Sequence, residues 1–232
     1  MTMGTLSGWR AALACAGLMI GLSATDAGAD VLYEQPRLGS DSFMPGLNSN
    51  AGDQVIYDDF TLATGAQITG LQWSGVYQQT TVLTTGPVSF FVGLYADQGG
   101  LPGELLMGQD FSLTGTQIGI SPNLNYPVFT YEVALAAPLS IVAGAKTWLS
   151  VVESDPTTNV VWTWEFSDYL TGNKVAYQDG PAGTMQLSFN NYDVAFNVLG
   201  NPLSINPVPE PSTLALMGVG GLLSLAVRRR RR

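Results

Sequence analysis

The chain of 232 residues has no histidine. Ser-His-Asp triads, histidine-held zinc and a histidine general base are therefore excluded. It has one cysteine, Cys15, inside an N-terminal apolar stretch. If that stretch is removed, the remaining chain can form no disulfide, thiol nucleophile or iron–sulfur cluster. Basic residues are scarce and oddly placed: of nine, Arg10 stands near the start and Arg228, Arg229, Arg230, Arg231 and Arg232 form the last five positions. Between residues 30 and 206 only Arg37, Lys146 and Lys174 remain, against 16 acidic residues, a balance near −13. Such a segment repels nucleic acid and suits solvent, cations or neutral glycans. No Gly-rich phosphate loop is present.

The first segment reads as a secretory leader. MTMGTLSGWR carries one positive charge, residues 11 to 24 are apolar, and Ala27-Gly28-Ala29 has the small-x-small form of a cleavage site. Asp30 is the expected mature N-terminus. A lipoprotein reading through Cys15 would leave too few apolar residues before the cysteine, and the polar break at Thr25-Asp26 argues against an uncleaved anchor.

The last segment reads as a membrane anchor. Ser212 to Val227 is a run of sixteen residues without charge. As a helix it covers about 24 Å, short of the roughly 30 Å hydrocarbon layer, a mismatch that local thinning and snorkelling side chains absorb. The five following arginines add nothing to a buried core helix. They orient a membrane span by staying on the cytoplasmic side, and they attract anionic head groups. Just upstream, Pro207, Pro209 and Pro211 remove backbone donors and favour an extended, protease-accessible chain.

Val208-Pro209-Glu210-Pro211-Ser212, then an apolar run, then an arginine cluster, resembles the PEP-CTERM sorting signal of Gram-negative bacteria. The resemblance covers about residues 207 to 232 and implies a partner, exosortase, a membrane-embedded transpeptidase or protease. It also implies processing at Val208, Pro209, Glu210 and Pro211, and arginines that hold the span until then. Export by the general secretion machinery, an inner-membrane-anchored intermediate, a final place at the cell surface or outside the cell, and company with exopolysaccharide follow as expectations.

This leaves residues 1–29 as signal peptide, 30–206 as the exported domain and 207–232 as the sorting signal. The domain is β in pattern. QVIYDDFTL, ITGLQWSGVY, PVSFFVGLYA, PVFTYEVAL, KTWLSVVES, NVVWTWEF and YDVAFNVLG are short and rich in β-branched and aromatic residues. Breakers at residues 97–103, 121–123, 155–156 and 180–183 separate them, and residues 40 to 53 read as a long loop. No stretch combines helical periodicity with caps. About ten short strands with frequent turns predict an all-β, antiparallel, jelly-roll-like β-sandwich. Tyr57-Asp58-Asp59-Phe60, Leu94-Tyr95-Ala96-Asp97, Gly99-Gly100-Leu101-Pro102-Gly103 and Asp193-Val194-Ala195-Phe196 resemble a β-sandwich ectodomain common among PEP-CTERM proteins, which implies a fold and no chemistry.

Three chemistries stay open for the domain. Trp162 and Trp164 share one face of a strand in VVWTWEF. That face is either sandwich core or a platform on which sugar rings stack; Trp73, Tyr77, Trp148 and Tyr169 are the other large aromatics. Asp53, Asp58, Asp59 and Asp193 lie near the two ends of the domain sequence and could together offer oxygens to calcium, although adjacent Asp58 and Asp59 point to opposite faces of a strand. Glycoside hydrolysis needs only two carboxylates, about 5–9.5 Å apart; Glu132, Glu153 and Glu165 are examples. The expectation is a non-enzymatic surface or matrix protein without a cofactor. The alternatives are a carbohydrate-binding module using tryptophan faces, with or without calcium, and a carboxylate-based glycan-active enzyme.

Overall fold

The computed structural model describes residues 29–37, 47–49, 54–78, 86–120, 126–154, 161–167, 174–180, 183–188, 191 and 193–203. The leader, Asp53, Tyr169, the Pro-Glu-Pro segment, the apolar run and the terminal arginines lie outside the described residues.

The described chain is all strand and turn: β1 (Asp30–Gln35), β2 (Leu47–Asn48), β3 (Gln54–Thr61), β4 (Ala66–Gln78), β5 (Val88–Asp97), β6 (Pro102–Leu113), β7 (Thr116–Ile120), β8 (Pro127–Ile141), β9 (Lys146–Glu153), β10 (Val161–Trp164), β11 (Ala176–Asp179), β12 (Gln186–Leu187) and β13 (Phe196–Pro202). All pairings are antiparallel. One sheet has six strands in the order β12-β11-β3-β9-β5-β6. The other has seven and is built around β4. One edge of β4 pairs with β8, which carries β7 outside it. The other edge pairs with β13 up to Trp73 and with β10 from Gly75 onward, and β1 and β2 lie beyond these. Ladder partners nest about the middle of the chain: β1 with β13, β3 with β11, β4 with β10, β5 with β9.

The two sheets share one core, because alternate residues of each strand point between them. From the six-stranded sheet come Ile56, Phe60, Phe90, Val92, Leu94, Leu149 and Val151; from the other come Leu71, Trp73, Tyr77, Tyr131, Trp162, Trp164, Phe196 and Val198. Phe90 sits at the centre, with its ring 4.9 Å from Tyr131, 5.2 Å from Trp162 and 5.6 Å from Trp73, all edge-on. Each such side chain removed from water stabilises the fold by roughly 1.5–3 kcal/mol, which suits a domain without disulfides. Gly75 has a packing reason: a Cβ there would meet Trp162 Nε1 at 2.4 Å. A smaller cluster of Tyr57, Trp148 and Ala176, with Tyr95, Leu101 and Met185 packed on it, covers the other face of the six-stranded sheet.

Two expectations change in detail. Residues 40 to 53, read as loop, include β2, which pairs with β10. Residues 97–103, read as a breaker, end in the first residues of β6; the turn itself is Gly99 and Gly100, both at positive φ. A proline at the first position of β6 is tolerated because β6 is an edge strand.

The termini of the domain meet. Asp30 pairs with Gly200, and the Leu203 amide donates to the Gly65 carbonyl beyond the last rung of β13. The expected mature N-terminus and the exit toward the sorting segment thus lie at one end of the sandwich.

Candidate functional site

Strand β3 separates the two aspartates of Tyr57-Asp58-Asp59-Phe60 by pleat alone. Asp58 turns inward between Ile56 and Phe60 and is fully buried. Its Oδ2 accepts from Gln35 Nε2 at 2.7 Å and from the Val194 amide at 2.7 Å, and its Oδ1 accepts from the Asp59 amide at 2.8 Å. Tyr33 Oη donates in turn to Gln35 Oε1 at 2.7 Å. One carboxyl therefore ties the six-stranded sheet to β1 and to the chain leading into β13. Burial pushes the Asp58 pKa well above the usual carboxylate range, and the nearby Asp193 and Asp59 push the same way, against the pull of the Val194 and Asp59 amides.

Asp59 faces outward and pairs with Lys146 at 2.9 Å. The Lys146 ammonium also sits 5.3 Å from the centre of the Trp148 ring. Trp148 Nε1 donates to Asp97 Oδ1 at 2.9 Å, while Asp97 Oδ2 accepts from the Gly100 amide at 3.1 Å. The Asp97–Gly103 segment is thereby fastened over the outer aromatic cluster.

Of the four aspartates expected to gather for calcium, Asp58 and Asp193 approach each other and Asp59 points away. Asp53 is outside the described residues. Among the described residues no group of three His, Cys, Asp or Glu could hold a metal ion.

Trp162 and Trp164 do share a face, with ring centres 6.4 Å apart. That face is the core: both are 0% exposed, and Trp164 Nε1 donates to the Ala195 carbonyl at 2.9 Å. A platform for sugar rings at these two residues is overturned, because the alternation that aligns them aims them between the sheets. Trp73 and Trp148 are buried too.

The carboxylates named for glycoside chemistry have three different surroundings. Glu165 is nearly buried and held by Arg37 in a two-pronged ion pair, Nε to Oε2 and Nη2 to Oε1, both 2.9 Å. Glu153 is buried at the end of β9, in the field of Tyr77 and Tyr131. These two tyrosines approach through their hydroxyls at 3.4 Å. Burial raises the Tyr131 hydroxyl to about 12 and, with Tyr131 beside it, Tyr77 further. Glu132 is exposed on the outer face of β8.

That outer face carries a feature no motif announced. Glu34 of β1, Asn197 of β13, Gln72 of β4 and Glu132 of β8 stand in one cross-strand rank. Asn197 Nδ2 donates to Gln72 Oε1 at 2.9 Å, and Gln72 Nε2 donates to Glu132 Oε2 at 3.0 Å. Beside the rank lies a cleft of about 270 Å³, floored by Gln72, Ser74 and Asn197 and bounded by Glu34–Arg37 on one side and Thr130 and Ile118 on the other. The only advance signal was polarity at alternate strand positions, which is also how an ordinary solvated face reads.

Residues 207–232 match the family described as the PEP-CTERM protein-sorting motif. No curated protein matches the chain. The motif implies an exported protein that is sorted through exosortase, with a membrane-anchored intermediate on the way.

Proposed function

Starting from the PEP-CTERM motif at residues 207–232, we propose that this protein is a non-enzymatic surface or matrix protein of a Gram-negative cell. Residues 1–29 direct it to the general secretion machinery and are removed. Residues 212–227 then hold it in the inner membrane as a helix, with Arg228 to Arg232 inside. Exosortase cuts at or near Val208 to Pro211 and delivers residues 30–206, a jelly-roll-like sandwich, to the surface or the surrounding exopolysaccharide. The domain works without a cofactor.

The observation that carries this reading is the motif match directly after the sandwich. Nested ladders support the jelly-roll assignment. The adjacent termini support delivery as a unit, since leader and anchor both leave from one end and neither has to thread the core. The occupied state of Glu165, paired with Arg37, supports the non-enzymatic reading over a glycosidase. In the native host, changing Pro209, Glu210 and Pro211 together to Ala is expected to trap the protein in the inner-membrane fraction. Normal surface delivery of that variant sinks the proposal.

A further inference from the structure

The geometry points to the outer cleft of the seven-stranded sheet as a binding site for an uncharged glycan; this deepens the matrix reading above and rests on it. The floor of the cleft is built from two primary amides and a hydroxyl, Gln72, Asn197 and Ser74. The chain of hydrogen bonds from Asn197 through Gln72 to Glu132 fixes how the amides are turned. Each NH₂ has two protons and spends one in that chain, so each keeps one donor, and the amide oxygens keep lone pairs. Ranked, preoriented donors and acceptors of this kind suit a ligand with hydroxyls on successive carbons.

Charge narrows the class. Glu34 bounds the cleft and Glu132 ends the rank. The sole cation, Arg37, already spends two of its five N–H groups on Glu165. An anionic ligand such as a polyuronate therefore meets two carboxylates and a neutralised guanidinium, whereas an uncharged sugar pays no such penalty. Ile118, 41% exposed on the far wall, offers an apolar contact for the C–H face of a ring. The volume, about 270 Å³, falls just under the roughly 300–1,000 Å³ of small-molecule sites. One sugar unit of a longer chain crossing the sheet fits it better than a bulky free ligand.

The test uses the full chain in detergent micelles and native gels containing dextran, laminarin or galactomannan as neutral probes, with polygalacturonate as the anionic one. At least one neutral polymer is expected to retard the protein. The double variant Gln72→Ala/Asn197→Ala is expected to weaken that retardation at least tenfold. Ile118→Asp breaks the opposite wall at an exposed position and is expected to weaken it too, which guards against misfolding of the first variant. Gln67→Ala, on the same strand outside the cleft, is expected to change nothing. Absence of retardation by every neutral polymer overturns the site, as does retardation untouched by both cleft variants or equal retardation by polygalacturonate. Surface delivery of the same variants is followed in the host. Normal delivery with lost retardation isolates the cleft, while failed delivery of the wild type counts against the export reading alone.

Discussion

The two faces of the seven-stranded sheet differ in what a side chain is permitted to do. On the inner face Trp73, Tyr131, Trp162 and Phe196 pack ring on ring, and Gly75 is flush against an indole. On the outer face, one residue along the same strands, Gln72, Asn197 and Glu132 make hydrogen bonds with one another at the solvent boundary. The same pleat serves stability inward and recognition outward. Substitutions should therefore divide by face rather than by position in the sequence.

The largest effect is expected from Trp162→Ala, which empties a large, fully enclosed site; truncations of this kind cost about 3–5 kcal/mol. Gly75→Ala should approach it from the opposite direction, because the added methyl has no room against Trp162 and overpacking costs about 1–3 kcal/mol or more. Urea unfolding monitored by tryptophan fluorescence measures both. A near-neutral Gly75→Ala would mean that the inner face is looser than described.

Asp58→Ala comes next. It leaves the Gln35 amide and the Val194 and Asp59 N–H groups without their acceptor inside the fold; water entering the vacated polar space can serve part of this need, so the expected net loss is roughly 1–3 kcal/mol. The same residue gives a pH signature. A carboxyl whose folded-state pKa is raised contributes stability that is full below its unfolded value, near 3.9, and is lost as pH rises through the folded value. Acidifying from about pH 7 toward 4 should therefore favour the wild type relative to Asp58→Asn, whose stability lacks this slope. Parallel slopes for the two proteins would show that Asp58 does not hold a proton in the fold.

Asp59→Asn breaks the pair with Lys146; the Lys146 side chain is 37% exposed and can turn to water, but the Asp59 side chain is only 3% exposed, so the loss should exceed that of a surface pair while staying below that of Asp58→Ala, and added salt should shrink it only in part. The smallest effects belong outside. Gln72→Ala and Asn197→Ala should leave stability within about 0.5 kcal/mol of the wild type. A loss as large as that of Asp58→Ala would erase the contrast between the faces.

Much of this division was legible in the sequence, and the reasons for the rest are physical. Strands β3, β4, β5, β8, β9 and β13 showed themselves by β-branched and aromatic alternation. The opposite orientation of Asp58 and Asp59 followed from period two alone. Period two also aligned Trp162 with Trp164, but it cannot say which side of a strand is the core, since that depends on the second sheet. The partners of Asp58 stand 23 and 136 residues away in the chain, at Gln35 and Val194, and only the folded topology brings them together. Strand β6 was half hidden because PGELLMGQDFSL opens with turn residues and lies at an exposed edge. The cleft could not be read at all, since residues 34, 72 and 197 become neighbours only through the β1-β13-β4 ladder. The sorting segment was legible throughout, because its signal is local in sequence.

What most directly tests the whole reading is terminal-peptide mass spectrometry of the protein recovered from the cell surface. The expected result is an N-terminal peptide beginning at Asp30 and a C-terminal peptide ending at or near Pro209 to Pro211. Mature surface protein that still ends in Arg232 would contradict it.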